Sequence, residues 1–178
     1  MIYVLLAQGF EEIEALTPVD MLRRAGLKVQ TVGVTGEYVT GSHGITVKAD
    51  ISPEKMTEKM DMLILPGGMP GTTNLDAWPQ MDALLDRAGR EGARIAAICA
   101  APMILGKRGL LKGRYALCFP GFEKYLLGAN SCVGRVITDG PYTTSLGMGS
   151  SLEFAAELVS CLAGIDVAAE LYTTVHGK

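Results

Sequence analysis

Thiols and carboxylates are the groups best suited to covalent chemistry in this chain of 178 residues. The cysteines are Cys99, Cys118, Cys132 and Cys161, and the histidines are His43 and His176. No two cysteines form a C-x-x-C pair, which leaves neither a zinc knuckle nor a thioredoxin-type redox motif. Two histidines do not make a histidine-rich centre, so no metal is expected. Cys99 differs from the other three in its surroundings. It follows Arg94–Ile98, RIAAI, a continuous apolar run that reads as a buried strand. From Ala100 onward, small residues and then Met103, Ile104 and Leu105 suit a helix. Cys99 therefore stands at a strand-to-helix turn, where a sharp bend presents a side chain to the crevice. A thiol becomes nucleophilic when a helix N-terminus or a polar partner lowers its pKa below the ~8.5 of free cysteine. The plainer reading of a cysteine between alanines is an inert buried residue. The residue pattern alone leaves both open.

Partners for that thiol must come from neighbouring strand ends, because open parallel sheets build their sites there. The candidate segments are Gly9 to Glu14, Gly67-Gly68, Phe119-Pro120 and Gly147 to Ser150. Glu11 and Glu12 suit a solvated helix start, favoured by the macrodipole. Glu14 follows Ile13 on the apolar side and is the carboxyl that can point inward; a surface position is the alternative. Buried, it would hold its proton more tightly and donate to a thiolate. Pro66 to Gly71 is a glycine-rich loop whose adjacent glycines allow close backbone approach, but it lacks the GKS or GKT ending of a P-loop. Gly147-Met148-Gly149 lacks the third glycine of a dinucleotide fingerprint. No cofactor is expected.

The elements that must position these residues alternate in type. Ile2 to Ala7 reads as a strand. Glu11 to Ala25 reads as a helix with Ile13, Leu16, Val19 and Leu22 or Met21 at helical spacing, and Lys28 to Val34 as a second strand. This βαβ unit predicts a right-handed crossover and a parallel sheet, hence an α/β fold. Gly36 to Lys48 suggests a short hairpin, Ile51 to Lys59 begins a short helical segment, and Met62 to Leu65 is another apolar strand. Gln80 to Gly89 is helical, Tyr115 to Cys118 is a short strand, and Asp139-Gly140 turns a hairpin between Val136–Thr138 and Tyr142–Ser145. Helices over Ser151 to Ala163, with Phe154, Leu158 and Cys161 or Leu162 as the apolar stripe, and Val167 to Val175 complete the chain. Residues 1–178 read as a single domain. Hydrophobic residues make up 48% and charged residues 20%, which excludes disorder, and a net charge of −3 without a basic stripe argues against nucleic acid. No apolar run is long enough to span a membrane, and Met1 leads straight into a strand without a leader pattern. Those features point to the cytoplasm.

Three stretches together resemble the ThiJ/PfpI superfamily: Leu5 to Ala15 with its L-x-x-G-x-E-E-x-E-A pattern, Leu65 to Gly68, and Ala96 to Pro102. Within it, the chain is similar to the subgroup of the human Parkinson-disease protein and bacterial protein-deglycase or thiazole-annotated relatives. Weaker similarity runs through Phe119-Pro120 and Gly147 to Phe154. The resemblance implies a flavodoxin-like three-layer sandwich (the class I glutamine amidotransferase-like arrangement) and a homodimer. It implies Cys99 as an oxidisable nucleophile, Glu14 as its protonated partner, and Gly68 with Ala100 as backbone donors of an oxyanion-type pocket. Gly67 and Phe119 become possible substrate contacts. Cofactor-independent glyoxalase or protein-deglycase action on methylglyoxal or its early adducts is the leading expectation. A redox-sensing stress protein or chaperone is the alternative, and a peptidase is less favoured because Ala100 stands where the protease branch has histidine. Phe119 also stands in place of a histidine, and Leu146 in place of an arginine. His43 falls near a position where relatives carry an arginine that approaches the partner subunit's site; it is either a substitute for that arginine or a hairpin surface histidine.

Overall fold

The computed structural model describes residues 1–177. In chain order the elements are β1 (Ile2–Leu6), α1 (Glu12–Arg24), β2 (Val29–Gly33), β3 (Tyr38–Thr40), β4 (Thr46–Lys48), β5 (Met62–Leu65), α2 (Gly71–Asp76), α3 (Met81–Glu91), β6 (Arg94–Ile98), α4 (Pro102–Lys107), β7 (Val136–Asp139), β8 (Tyr142–Ser145), α5 (Ser151–Ala163) and α6 (Ile165–Val175). Six strands form one sheet in the order β2-β1-β5-β6-β8-β7, and β3 pairs with β4 in a separate hairpin. All pairings in the large sheet are parallel except that of β7 with β8. The sequence is therefore wound as a flavodoxin-like sandwich, with an antiparallel strand at one edge.

Alternation along the strands builds two cores. Tyr3, Leu5, Leu63, Leu65, Ile95 and Ala97 face one side, where Leu75, Leu84, Leu85 and Ile104 of α2, α3 and α4 cover them. Val4, Leu6, Met62, Ile64, Ala96 and Ile98 face the other, against Ala15 and Leu22 of α1 and Phe154 and Leu158 of α5. Covered on both faces, the central strands read as continuous apolar runs, which is why they were legible as strands. Parallel winding then brings the carboxyl ends of β1, β5, β6 and β8 to the same edge.

Several expectations are corrected. The segment Ile51 to Lys59 contains only a single 3-10 turn, Pro53–Lys55. Tyr115 to Cys118 is no strand; it makes one isolated bridge, Tyr115 to Asn130. Side chains draw its amides away, Tyr115 N–H donating to Asp139 Oδ2 at 2.9 Å and Leu117 N–H to Thr144 Oγ1 at 2.9 Å. The helix after Cys99 begins at Pro102 rather than Ala100, since Ala100 and Ala101 complete the turn. α2 went unread because six residues are too few to show a helical period.

Candidate active site

Cys99 follows the last residue of β6 and has φ +65, the one positive φ outside glycine among the described residues. That backbone region costs an L-residue about 1–2 kcal/mol. Three hydrogen bonds hold the turn there. Cys99 N–H donates to the Ser145 carbonyl at 3.0 Å, the Cys99 carbonyl accepts from Phe119 N–H at 2.7 Å, and Ala101 N–H reaches the Ile98 carbonyl at 3.0 Å. The thiol is half-buried.

Glu14 arrives from the first turn of α1. Glu11 caps that helix, its Oε2 accepting from Glu14 N–H at 2.7 Å. The Glu14 side chain is fully buried. Its Oε2 accepts from Gly67 N–H at 3.0 Å, while its Oε1 has no hydrogen-bond partner. Gly67 has no room for a side chain: a Cβ there would overlap Glu14 Oε2 and lie 2.6 Å from Cys99 Cβ. Gly68 has φ +90, and a Cβ on it would sit 2.7 Å from the Gly9 carbonyl oxygen. The glycine pair therefore lets the β5 loop lie close against both the carboxyl and Cys99.

Burial is the largest influence on both ionisable groups. It pushes Glu14 from its ordinary 4.5 up to about 7, against the lowering effects of Cys99 and of the Gly67 and Met148 amides. It also pushes the Cys99 thiol up to about 12, with the Glu14 charge and the nearness of its carboxyl adding to the rise; the Gly68 and Ala100 amides work in the opposite direction. Burial beside Glu14 thus acts against the expectation of an acidic thiol. Desolvation beside a carboxylate outweighs two amide donors, and the helix that was to help begins at Pro102 rather than Ala100. Cys118 is raised to about 11 by burial, and Cys132 and Cys161 are raised by it too. Cys161 Sγ also has a carboxylate acceptor, Glu157 Oε1 at 3.7 Å. What separates Cys99 is that its neighbouring carboxyl, Glu14, is fully buried and raised to about 7. A thiol so placed can lose its proton to the carboxylate as its sulfur adds to an electrophilic carbon.

The structure thus gathers Cys99, Glu14, Gly67, Gly68 and Ala100. Phe119 joins through its backbone bond to Cys99, and its ring lies half-exposed at the rim. His43 does not join them within the chain. Its Nδ1 lies 3.0 Å from Glu12 Oε2 and its backbone N–H donates to Glu12 Oε1 at 2.8 Å, on the outer side of α1. That pairing raises the His43 pKa; at Glu12, burial acts upward but the His43 hydrogen bonds prevail and lower it. Glu11, Glu12 and His43 have donor atoms within 4.8 Å of one another, the one such group among the described residues that could hold a cation. Both Glu12 oxygens are, however, already engaged by Ser42, His43 and Ile45. Met148, whose amide faces Glu14, was missed as an individual residue; the glycine turn around it was the available signal. Among the described residues no helix is long and apolar enough to cross a membrane.

A family model described as DJ-1/PfpI family matches residues 1–161. The Parkinson disease protein 7 homolog of Danio rerio is 38% identical over 175 residues, 94% of this chain and 92% of that protein. A Pyrococcus horikoshii protein named as a deglycase is 31% identical over 145 residues, 79% of this chain and 86% of that protein. Protein DJ-1 homolog B of Arabidopsis thaliana is 36% identical over 170 residues; the match takes in 93% of this chain but only 39% of that relative's length. Among solved structures, Toxoplasma gondii DJ-1, described as oxidized, superposes with a TM-score of 0.93 at 35% identity, covering 98% of this chain and 96% of that one.

Proposed function

The chain belongs to the DJ-1/PfpI family, and on that premise we propose that it is a cofactor-independent enzyme of reactive-aldehyde metabolism with Cys99 as nucleophile. The observation that carries this reading is the buried Glu14 oxygen left without a partner beside the half-buried Cys99 thiol. The deglycase name of the Pyrococcus horikoshii relative supports the substrate class, α-oxoaldehydes or their early adducts. Glu14 takes the thiol proton as the sulfur adds to the aldehyde carbon, giving a hemithioacetal. The Gly68 and Ala100 amides then stabilise the oxygen charge that develops. Glu14 next returns the proton to that oxygen and removes the proton from the former aldehyde carbon, whose electron pair passes into an enediolate with the neighbouring carbonyl. Glu14 delivers that proton to the neighbouring carbon, while the hydroxyl proton of the first carbon passes to the neighbouring oxygen and leaves a thioester carbonyl. Water releases the resulting thioester as a 2-hydroxy acid. One oxoaldehyde and one water thus become one 2-hydroxy acid, with no oxidant or reductant.

Consumption of methylglyoxal without glutathione, followed as lactate, tests the reading. The parent protein should form lactate, and Cys99→Ala and Glu14→Gln should each lose at least a hundredfold, the scale of a general base or nucleophile. Equal rates in parent and Cys99→Ala would overturn it. The second reading is a redox sensor in which peroxide converts Cys99 to its sulfinate; the oxidized form of the Toxoplasma gondii relative favours keeping it in view. Lactate formation absent, together with peroxide adding two oxygens at Cys99 by intact mass and peptide mapping, would select that reading instead.

A further inference from the structure

Beyond the thiol and carboxyl, the edge of the site has a chemistry of its own. Phe119 is 48% exposed and Met148 51% exposed, and with Leu146 and Pro120 they line a groove of about 250 Å³. For comparison, a cavity of about 150 Å³ suffices for benzene. Two contacts tie this groove to the reacting groups. Phe119 N–H is bonded to the Cys99 carbonyl at 2.7 Å. A methyl on Gly147 would lie 3.1 Å from Phe119 Cδ2 and 3.7 Å from Glu14 Oε1, so one glycine backbone separates the ring from the carboxyl. The single charge in the groove is already engaged, Arg135 donating to Glu153 Oε1 at 2.9 Å and to the Gly149 carbonyl. A substrate on Cys99 that extends past Gly147 therefore reaches an aromatic ring, a thioether and an isobutyl group, with no free cation in the groove to receive a carboxylate or phosphate.

We propose that Phe119, with Leu146 and Met148, forms an apolar wall that selects α-oxoaldehydes carrying an aryl or similarly bulky apolar group over methylglyoxal. An aryl substituent removes its surface from water against the wall, and offset or edge-to-face packing on Phe119 adds to that. Methylglyoxal has only a methyl group to offer and leaves the Phe119 face wet. The inference rests on the proposed aldehyde chemistry for its reaction, but the selectivity of the wall can be read without turnover.

Two α-bromoketones provide that reading, 2-bromoacetophenone and bromoacetone, which alkylate a thiol in one step by displacing bromide. Rates of Cys99 alkylation, assigned by peptide mapping, are divided by the rates for glutathione to cancel intrinsic reactivity. The normalised preference for the aryl reagent should be about tenfold, the effect of about 1.4 kcal/mol. Phe119→Ala should abolish it and Phe119→Tyr should retain it, with circular dichroism checking that each variant is folded. A normalised ratio near one in the parent, or a preference unchanged in Phe119→Ala, would overturn the proposal. Turnover of phenylglyoxal against methylglyoxal then separates the two ideas. Selective alkylation without turnover of either aldehyde sinks the aldehyde reading and leaves the wall standing as an apolar binding surface. Turnover of both with no aryl preference, and no alkylation preference, sinks the wall alone.

Discussion

Glu14 and Cys99 share a dry pocket with room for one negative charge, and that constraint sets how the pair responds to pH. Glu14 is raised from 4.5 to about 7. Between those values the folded protein keeps a proton that the unfolded chain has lost, so stability falls as pH rises through this window and is level above it. The size of the effect is roughly 3 kcal/mol, from the linkage of about 1.36 kcal/mol per pKa unit. Urea denaturation at pH 4.5 and pH 8 should show the parent losing stability relative to Glu14→Gln, which keeps an acceptor for Gly67 N–H but cannot ionise. Parallel pH profiles for the two proteins would show that Glu14 ionises as an ordinary surface acid. The same group governs chemistry in the opposite sense. If Glu14 is the base, kcat/KM for aldehyde consumption rises with pH through about 7 and then levels, because the ionised form accepts the thiol proton. A profile that instead follows a thiol ionisation above pH 9 would remove Glu14 from that role.

The element that makes the pair possible is the glycine turn after β5. Gly67 N–H binds Glu14 Oε2 while its missing side chain leaves space that Glu14 and Cys99 occupy. Gly67→Ala should therefore destabilise the protein by about 1–3 kcal/mol, the usual effect of overpacking a filled site. Its aldehyde turnover should fall with it, since neither neighbour can move independently. Gly89→Ala is the control: it lies within α3, where an added Cβ meets nothing within 4 Å. Thermal melts that rank the two substitutions equally would refute the packing argument. Pro18 acts within α1 in a similar local way. It has no N–H to donate to the Glu14 carbonyl four residues earlier, so the helix lacks one bond at the turn that carries the site.

At the scale of the whole molecule, α1 also presents an outer face. Ile13 is 47% exposed and Ile45, from the hairpin loop, is 56% exposed; they line a groove of about 610 Å³ with Leu16, Met21 and Leu152. Apolar exposure continuous with the Glu12–His43 pairing fits a two-fold interface, and we infer a homodimer. Light scattering at micromolar protein should give twice the chain mass, and Ile13→Arg should halve it. A parent that scatters as a monomer would refute the interface and leave His43 a surface residue of its own chain.

The order of strands and helices was legible in the amino-acid sequence because parallel strands covered on both faces must be apolar throughout, and Val4, Ile64 and Ala96 sit in such runs. Cys99 was legible for a related reason: a buried strand that turns abruptly into small residues has to present whatever stands at the bend. Short elements held by side chains were not. Tyr115 to Cys118 carries strand-like residues, yet Asp139 and Thr144 claim its amides, and no local pattern records so distant a competitor. The electrostatic character of the thiol belonged wholly to the tertiary structure. A cysteine at a turn promises an acidic thiol, but its proton affinity depends on how much water remains around it and how near Glu14 comes. Those quantities arise only when α1, the Gly67 turn and β6 converge, and here desolvation beside a carboxylate outweighs the donors that the turn supplies.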